Sequence, residues 1–420
     1  MLKRKKLYFF FVLIFAKTNI FSISHVNFFE PYEWLLDNNR LALPETSYTS
    51  QFTIRTEYGF NFHSYPLDPK ENLINSYNVK TILSNPCQYS NQKESIYSSF
   101  LGQTENKNQS EIPQQFSYYN GLKAGTECEI KGDFQLQSLT AQYELWITKN
   151  IKLGYYLPFY SLKVKNIFAD IVQKNQTIES EINPLIFKHK MNLQPYLLKG
   201  IGDSFFLASW QQYFYEDRDL ITGLLASLRI GLYLPTASQR NNFMETVLKI
   251  PLGYDAAWGI PFGGSIELDL GPFAGAGISA DCITFFEDLL PRYIKTDMRQ
   301  TDLFTSEKVL SLLHPGFKES FSAYVSAHTL EKNFLGTIAY QYNKQNESDI
   351  TICNPLYVNL IAQTAELLES WTAHNLIFIA QGNTSLQNID ILYNAFFKLG
   401  FHGMRSIVGN SFGFQITCSF

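Results

Sequence analysis

Residues Leu220 to Leu234 read LITGLLASLRIGLYL. The even positions carry Leu220, Thr222, Leu224, Ala226, Leu228, Ile230, Leu232 and Leu234, and the odd ones include Gly223, Ser227, Arg229, Gly231 and Tyr233. Successive side chains of a strand leave opposite faces, so an apolar residue at every second position describes a strand with one face in an apolar medium and the other in a polar one. Wound as a helix, the same residues would scatter Ser227 and Arg229 around the axis. Strands of soluble sandwiches also alternate, but they are ordinarily about five or six residues long. This stretch is roughly twice that.

The rule recurs along the chain. Leu139, Ala141, Tyr143, Leu145 and Ile147 alternate with Thr140, Gln142, Glu144 and Thr148; Leu248, Ile250, Leu252, Tyr254, Ala256 and Trp258 alternate with Lys249, Gly253 and Asp255. Ile266, Leu268, Leu270, Ala274, Ala276 and Ile278 alternate with Glu267, Asp269, Gly275, Gly277 and Ser279, and Phe321, Ala323, Val325 and Ala327 with Ser322, Tyr324, Ser326 and His328. The spacing predicts 14 strands, over 51–60, 137–148, 151–164, 180–187, 190–200, 203–215, 219–234, 246–258, 263–279, 317–329, 333–343, 372–381, 389–402 and 409–420, with 12 or 16 as alternatives. Short links at 149–150, 188–189, 216–218, 259–262 and 330–332 interleave with long ones at 61–136, 165–179, 235–245, 280–316 and 344–371; only the link near 201–202 breaks the rhythm. Tight turns at one rim and long loops at the other belong to a transmembrane antiparallel up-and-down β-barrel. The expected fold class is therefore all-β, a barrel of about 14 strands.

Composition agrees. Aromatic residues make up 15% of the chain and charged residues 17%, and no run after residue 24 approaches the roughly 18 apolar residues of a spanning helix. Alternating strands dilute the hydropathy that a helix would concentrate. Residues 1–24 read as a secretory signal peptide: Lys3, Arg4, Lys5 and Lys6, an apolar run from Leu7 to Ala16, then the small residues Ser22 and Ser24. Five of the 34 basic residues and none of the 38 acidic ones lie in that segment, so the remainder carries 29 against 38, a net of −9. That balance excludes a nucleic-acid binder. Cys87 with Cys128, and Cys282 with Cys353, could pair in an oxidising compartment or stay as thiols; the spacings of the five cysteines match no zinc site.

The expected organisation is a signal peptide over 1–24, a periplasmic lead-in or short plug over 25–50, and a barrel over 51–420 with long external loops at 61–136, 280–316 and 344–371. Phe285, Phe286, Leu289, Leu290, Val309, Leu310, Leu312 and Leu313 suggest short helices within 283–313, and residues 356–368 read as a helix about as well as a strand.

The final stretch places Phe412, Phe414, Ile416, Cys418 and Phe420 on one face and Gly413, Gln415, Thr417 and Ser419 on the other. It resembles the C-terminal assembly signal of bacterial outer-membrane barrels, carried here by Phe412, Phe414, Ile416 and Phe420. The resemblance implies location in the bacterial outer membrane, contact with its lipid, and recognition by the barrel-assembly machinery through strand addition. Leu228-Arg229-Ile230-Gly231-Leu232-Tyr233-Leu234-Pro235-Thr236-Ala237 more loosely resembles the strand-then-Pro-Thr element of outer-membrane channels associated with the meta-pathway of phenol degradation. That likeness implies a porin-like channel and says nothing of phenol as substrate.

Charge on the lumen face is where selectivity of a channel would reside, because Arg or Lys on the lipid face at mid-depth costs ~2–4 kcal/mol. Glu144, Arg229, Lys249, Glu267 and Asp269 all fall on the polar face. Hairpins folded near residues 240 and 260 would bring Arg229 and Asp269 toward Lys249, making a mixed-charge cluster that acts either as an ion-selective constriction or as a salt-bridge network filling a narrow barrel. The leading expectation is passive diffusion of small solutes without a cofactor or metal. The alternatives are a barrel phospholipase or protease, and a structural or adhesive barrel acting through its loops. Catalysis finds little support. His63 and Ser64 have no partner motif, the seven histidines make no metal-ligand spacing, and Gly271–Gly277 (GPFAGAG) has no Lys-Ser/Thr after it, so it reads as part of an alternating strand rather than a phosphate loop.

Overall fold

Alternation closes into a ring in the computed structural model, which describes residues 36, 50–65, 128–171, 195–215, 221–237, 253, 257–271, 273–294, 307–329, 333–363, 368–386, 389–404 and 406–420; at 61–65, 128–134, 166–171, 293, 307, 308 and 407 the description is of backbone alone. The elements are β1 (Ser50–Tyr65), β2 (Cys128–Thr148), β3 (Ile151–Ile171), β4 (Tyr196–Ile201), β5 (Ser204–Tyr215), β6 (Gly223–Leu234), β7 (Gly259–Leu270), β8 (Ala274–Phe285), β9 (Asp288–Ile294), β10 (Glu307–His314), β11 (Lys318–His328), β12 (Phe334–Gln345), β13 (Asp349–Ile352), α1 (Asn359–Ala362), β14 (Trp371–Leu386), β15 (Ile389–Met404) and β16 (Ser406–Ser419). The hydrogen-bonded circuit runs β1, β2, β3, β5, β6, β7, β8, β11, β12, β14, β15, β16 and back to β1. Every neighbouring pair is antiparallel, so this is a closed barrel of 12 strands with β4 outside the count. Ser50 and Phe420 exchange backbone bonds of 3.2 and 3.1 Å at the seam.

The rims differ as expected. The rim holding Ser50 and Phe420 has the links 149–150, 216–222, 271–273, 329–333 and 387–388; the opposite rim has 66–127, 172–195, 235–258, 286–317 and 346–370, and one short link, the single residue 405 between β15 and β16. Residues 1–35, 66–127 and the predicted strand 180–187 lie outside the described residues, and with them the signal segment and most of the first long loop.

Several boundaries move, each for a physical reason. Predicted strands 190–200 and 203–215 are successive pieces along one neighbour: β3 pairs Phe159↔Ile201 through Val164↔Tyr196 with β4, and Ile151↔Trp210 through Tyr156↔Phe205 with β5. The irregular link at 201–202 is thus a break within one line, not a turn. The predicted strand 263–279 is a hairpin. β7 meets β8 through Leu270↔Ala274, two even positions that share a face, so the period-2 pattern passes unbroken through the turn. Gly271 takes φ 66° there, a left-handed conformation that glycine adopts without steric cost; the GPFAGAG run therefore begins in a turn. β6 and β7 are neighbours in the barrel, bonding directly from Gly223↔Asp269 to Tyr233↔Gly259. The predicted link at 259–262 is inside β7, and of the predicted strand 246–258 only Gly253, Ala257 and Trp258 are described, none in a strand.

The helices expected in 283–313 are strands. β9 and β10 pair from Leu313↔Asp288 to Glu307↔Ile294, and β13 adds to β10. Ile294, Val309, Ile350, Ile352 and Ala362 form the small core of this rim sheet, because its apolar residues follow period 2 across three short strands from two adjacent loops. In 356–368 the described α-helix is the single turn α1. Cys282 and Cys353 are free thiols, the second of the two alternatives left open for that pair.

Candidate functional site: the inner wall

The barrel is turned inside out relative to a soluble protein. Leu228 and Ile230 are 61% and 59% exposed on the outer face, while Ser227 and Arg229 between them are 2% and 4% exposed inside. The same inversion holds around the ring. Phe52, Leu145, Leu153, Ile266, Ile278, Val325, Ile338 and Phe414 face out, and Thr53, Gln142, Lys152, Ser265, Ser279, Ser326, Thr337 and Gln415 face in. A soluble chain would bury those large apolar side chains at ~1.5–3 kcal/mol each; left on a continuous outer belt, they require an apolar surrounding. Phe412, Phe414, Ile416 and Phe420, the residues of the predicted assembly signal, belong to that belt, with Phe412 packed 5.5 Å from the ring of Tyr58.

Four of the five predicted lumen residues are described. Glu144, Arg229 and Glu267 are buried on the inner wall and Asp269 is half-buried; Lys249 lies outside the described residues. The expected cluster around Lys249 therefore lies in part outside the described residues. β6 and β7 pair about residue 246 rather than 240, setting Arg229 opposite Gly263 and Asp269 opposite Gly223.

Each acid or base finds a partner, three of them across a glycine. Arg229 of β6 reaches over Gly263 of β7 to Asp281 of β8, with Nε donating at 2.9 Å and a terminal nitrogen at 2.8 Å from Oδ1. A Cβ on Gly263 would stand 2.1 Å from that oxygen. Tyr324 of β11 donates to Glu267 of β7 at 3.0 Å over Gly277 of β8. Tyr213 of β5 donates to Asp269 of β7 past Gly223 of β6. Neighbouring strands stand about 4.8 Å apart, so partners two strands away meet only where the middle position has no side chain. Glu144 instead pairs with Lys152 of the adjacent β3 at 2.8 Å and accepts from Tyr156 at 3.2 Å.

Register also assembles a row that no sequence motif marked. Ser227, Ser265, Ser279, Ser322, Gln341 and Asn375 stand successively opposite one another on β6, β7, β8, β11, β12 and β14, all buried. Ser227 and Ser265 share a hydrogen bond of 2.6 Å, Arg229 donates to Ser227 at 2.8 Å, and Asn375 donates to Gln341 at 3.1 Å. On the far side Lys398 meets Glu57 at 3.3 Å, and Ser411 donates to Glu57 at 2.5 Å. Leu36, ahead of the first strand, is buried among Tyr324, Ala339, Ile377, Ile379 and Phe396 of the inner wall. Its carbonyl accepts from Gln415 at 3.1 Å and Asn394 at 3.4 Å. His63 and Ser64 stand on β1 where the backbone alone is described.

No protein-family model matches the chain, and no curated protein does. Among solved structures, it is similar to an outer membrane channel from Pseudomonas putida F1 at 8% identity and a TM-score of 0.48, over 91% of this chain and 99% of that one. It is also similar to a Pseudomonas aeruginosa FadL homologue at 9% identity and a TM-score of 0.27, over 91% of this chain and 92% of that one.

Proposed function

We propose that this protein is a channel of the bacterial outer membrane through which small solutes diffuse passively. The observation that carries the reading is the inverted barrel: a closed ring of 12 strands with an apolar outer belt and an inner wall of hydroxyls, amides and paired charges. Closure satisfies every strand edge, which spanning lipid requires. On this reading the paired charges both brace a narrow wall and set the field that a passing ion meets. The lead-in over 25–50 acts as a plug, a role supported by the burial of Leu36 against the inner wall.

The test is conductance of folded protein in a planar bilayer, with folding checked by heat-modifiable migration. Discrete conductance steps are expected, with cation preference reduced in Asp281→Lys. A folded protein that never conducts overturns the channel reading and favours the loop-borne, adhesive alternative.

A further inference from the structure

The outer face of β2, β3 and β4 changes character along one line. Leu139, Phe159 and Ile201 stand opposite one another, exposed, as the last apolar row before the rim with the long links. The next rows toward that rim are Gln137, Ser161 and Lys199, then Gln135, Lys163 and Leu197, then Lys165 on β3 opposite Asp133. Lys163, Lys165 and Lys199 are exposed on this face, and among the described residues none of the three pairs with a carboxylate. Lys163 and Lys165 are same-face neighbours two positions apart, roughly 7 Å, and Lys199 is diagonal to Lys163 at about 7–8 Å. Leu197, between them, is an exposed apolar residue.

Asp133, opposite Lys165, is described by its backbone alone and brings one negative charge to three ammoniums; the charge in excess repels unless a further anion sits among them. Their position also selects the anion. They stand immediately beyond the lipid belt, at headgroup depth, on strands that carry the wall past the belt. We infer that Lys163, Lys165 and Lys199 form a binding site for the phosphate of a lipid headgroup in the outer leaflet, with Leu197 and Phe159 against the adjoining acyl chains. The inference rests on the outer-membrane reading above, which puts the long-link rim outside.

The test uses the full chain, folded in detergent micelles and titrated with diphosphorylated lipid A and with its dephosphorylated counterpart. The wild-type protein is expected to prefer the phosphorylated form by about 10- to 100-fold, on the usual attraction of surface lysines to anionic lipid. Lys163→Gln/Lys165→Gln/Lys199→Gln should lose that preference and the matching triple Lys→Arg variant should keep it. Lys149→Gln, in the short link at the other rim, should also keep it. If the triple Gln variant fails heat-modifiable migration, Lys163→Gln and Lys199→Gln singly should each weaken the preference several-fold. No preference in folded wild-type protein, an unchanged preference in the folded Gln variants, or full displacement by millimolar inorganic phosphate would each overturn the site. Bilayer conductance of the same samples separates the two readings: conduction without a lipid preference defeats this site alone, and preference without conduction defeats the channel alone.

Discussion

Arg229 and Asp281 lie two strands apart and are joined at 2.8 Å over Gly263. Arg229 is almost fully buried and Asp281 is about a quarter exposed, so removing either leaves a charge poorly solvated on the inner wall. Arg229→Ala and Asp281→Ala are each expected to cost about 1–3 kcal/mol, below the range for fully buried pairs because Asp281 keeps some exposure. The double variant should cost clearly less than the sum. Urea unfolding in vesicles, followed by tryptophan fluorescence, measures all three; strictly additive losses would mean the pair does not interact.

Gly277 makes a sharper test of the glycine crossings. A Cβ there would stand 2.5 Å from the Tyr324 hydroxyl, whereas one on Gly336 meets nothing within 4 Å. Tyr324→Phe deletes a hydrogen bond to a carboxylate and should cost ~1.5–3 kcal/mol. Gly277→Ala should cost at least as much, since it displaces the ring as well. Gly336→Ala should leave the unfolding midpoint within error of the wild type.

The outer belt predicts an unusual substitution pattern. Leu228 is 61% exposed, and in a soluble protein a lysine at so exposed a site would be nearly neutral. Facing lipid, Leu228→Lys should cost ~2–4 kcal/mol. Leu360 of α1, exposed beyond the barrel wall, should accept lysine within about 0.5 kcal/mol. Equal tolerance at both positions would remove the lipid belt.

Leu36 ties the segment ahead of β1 to the inner wall through Ile377, Ile379 and Phe396. Leu36→Asp sets a carboxylate against those apolar groups, which is unfavourable without a partner. Leu36 should then leave the inner wall, and single-channel conductance should rise with no loss of folded barrel on gels. Conductance equal to wild type would mean that Leu36 does not obstruct the pathway.

How much of this was legible from residues alone depended on whether a feature repeats within a strand or between strands. Alternation in Leu220–Leu234 and Phe321–Ala327 identified β6 and β11 and their lipid faces, and placed Glu144, Arg229, Glu267 and Asp269 on the inner wall. Partners were not legible. Asp281 lies two strands from Arg229 and was not singled out, because register depends on turns whose position the pattern hid. The β7–β8 turn was invisible for that reason, as Leu270 and Ala274 keep the same parity across it. The rim strands β9 and β10 were read as helices, since paired leucines such as Leu289-Leu290 and Leu312-Leu313 satisfy a helical stripe as readily as a short hairpin. Glycine was a signal half used: Gly223 and Gly277 fell on the polar face, but the pattern did not say that they and Gly263 mark where the wall lets side chains cross.

The most direct test of the account is spin-label accessibility along β12 in the reconstituted protein, with single labels at Thr337, Ile338, Ala339, Tyr340 and Gln341. Ile338 and Tyr340 face out, and Thr337, Ala339 and Gln341 face in. The account predicts collisions with dissolved oxygen peaking at 338 and 340, while collisions with a water-soluble nickel chelate, where they occur, peak at 337, 339 and 341. Five labels that are equally open to the nickel chelate, with no alternation between lipid and water, would contradict it.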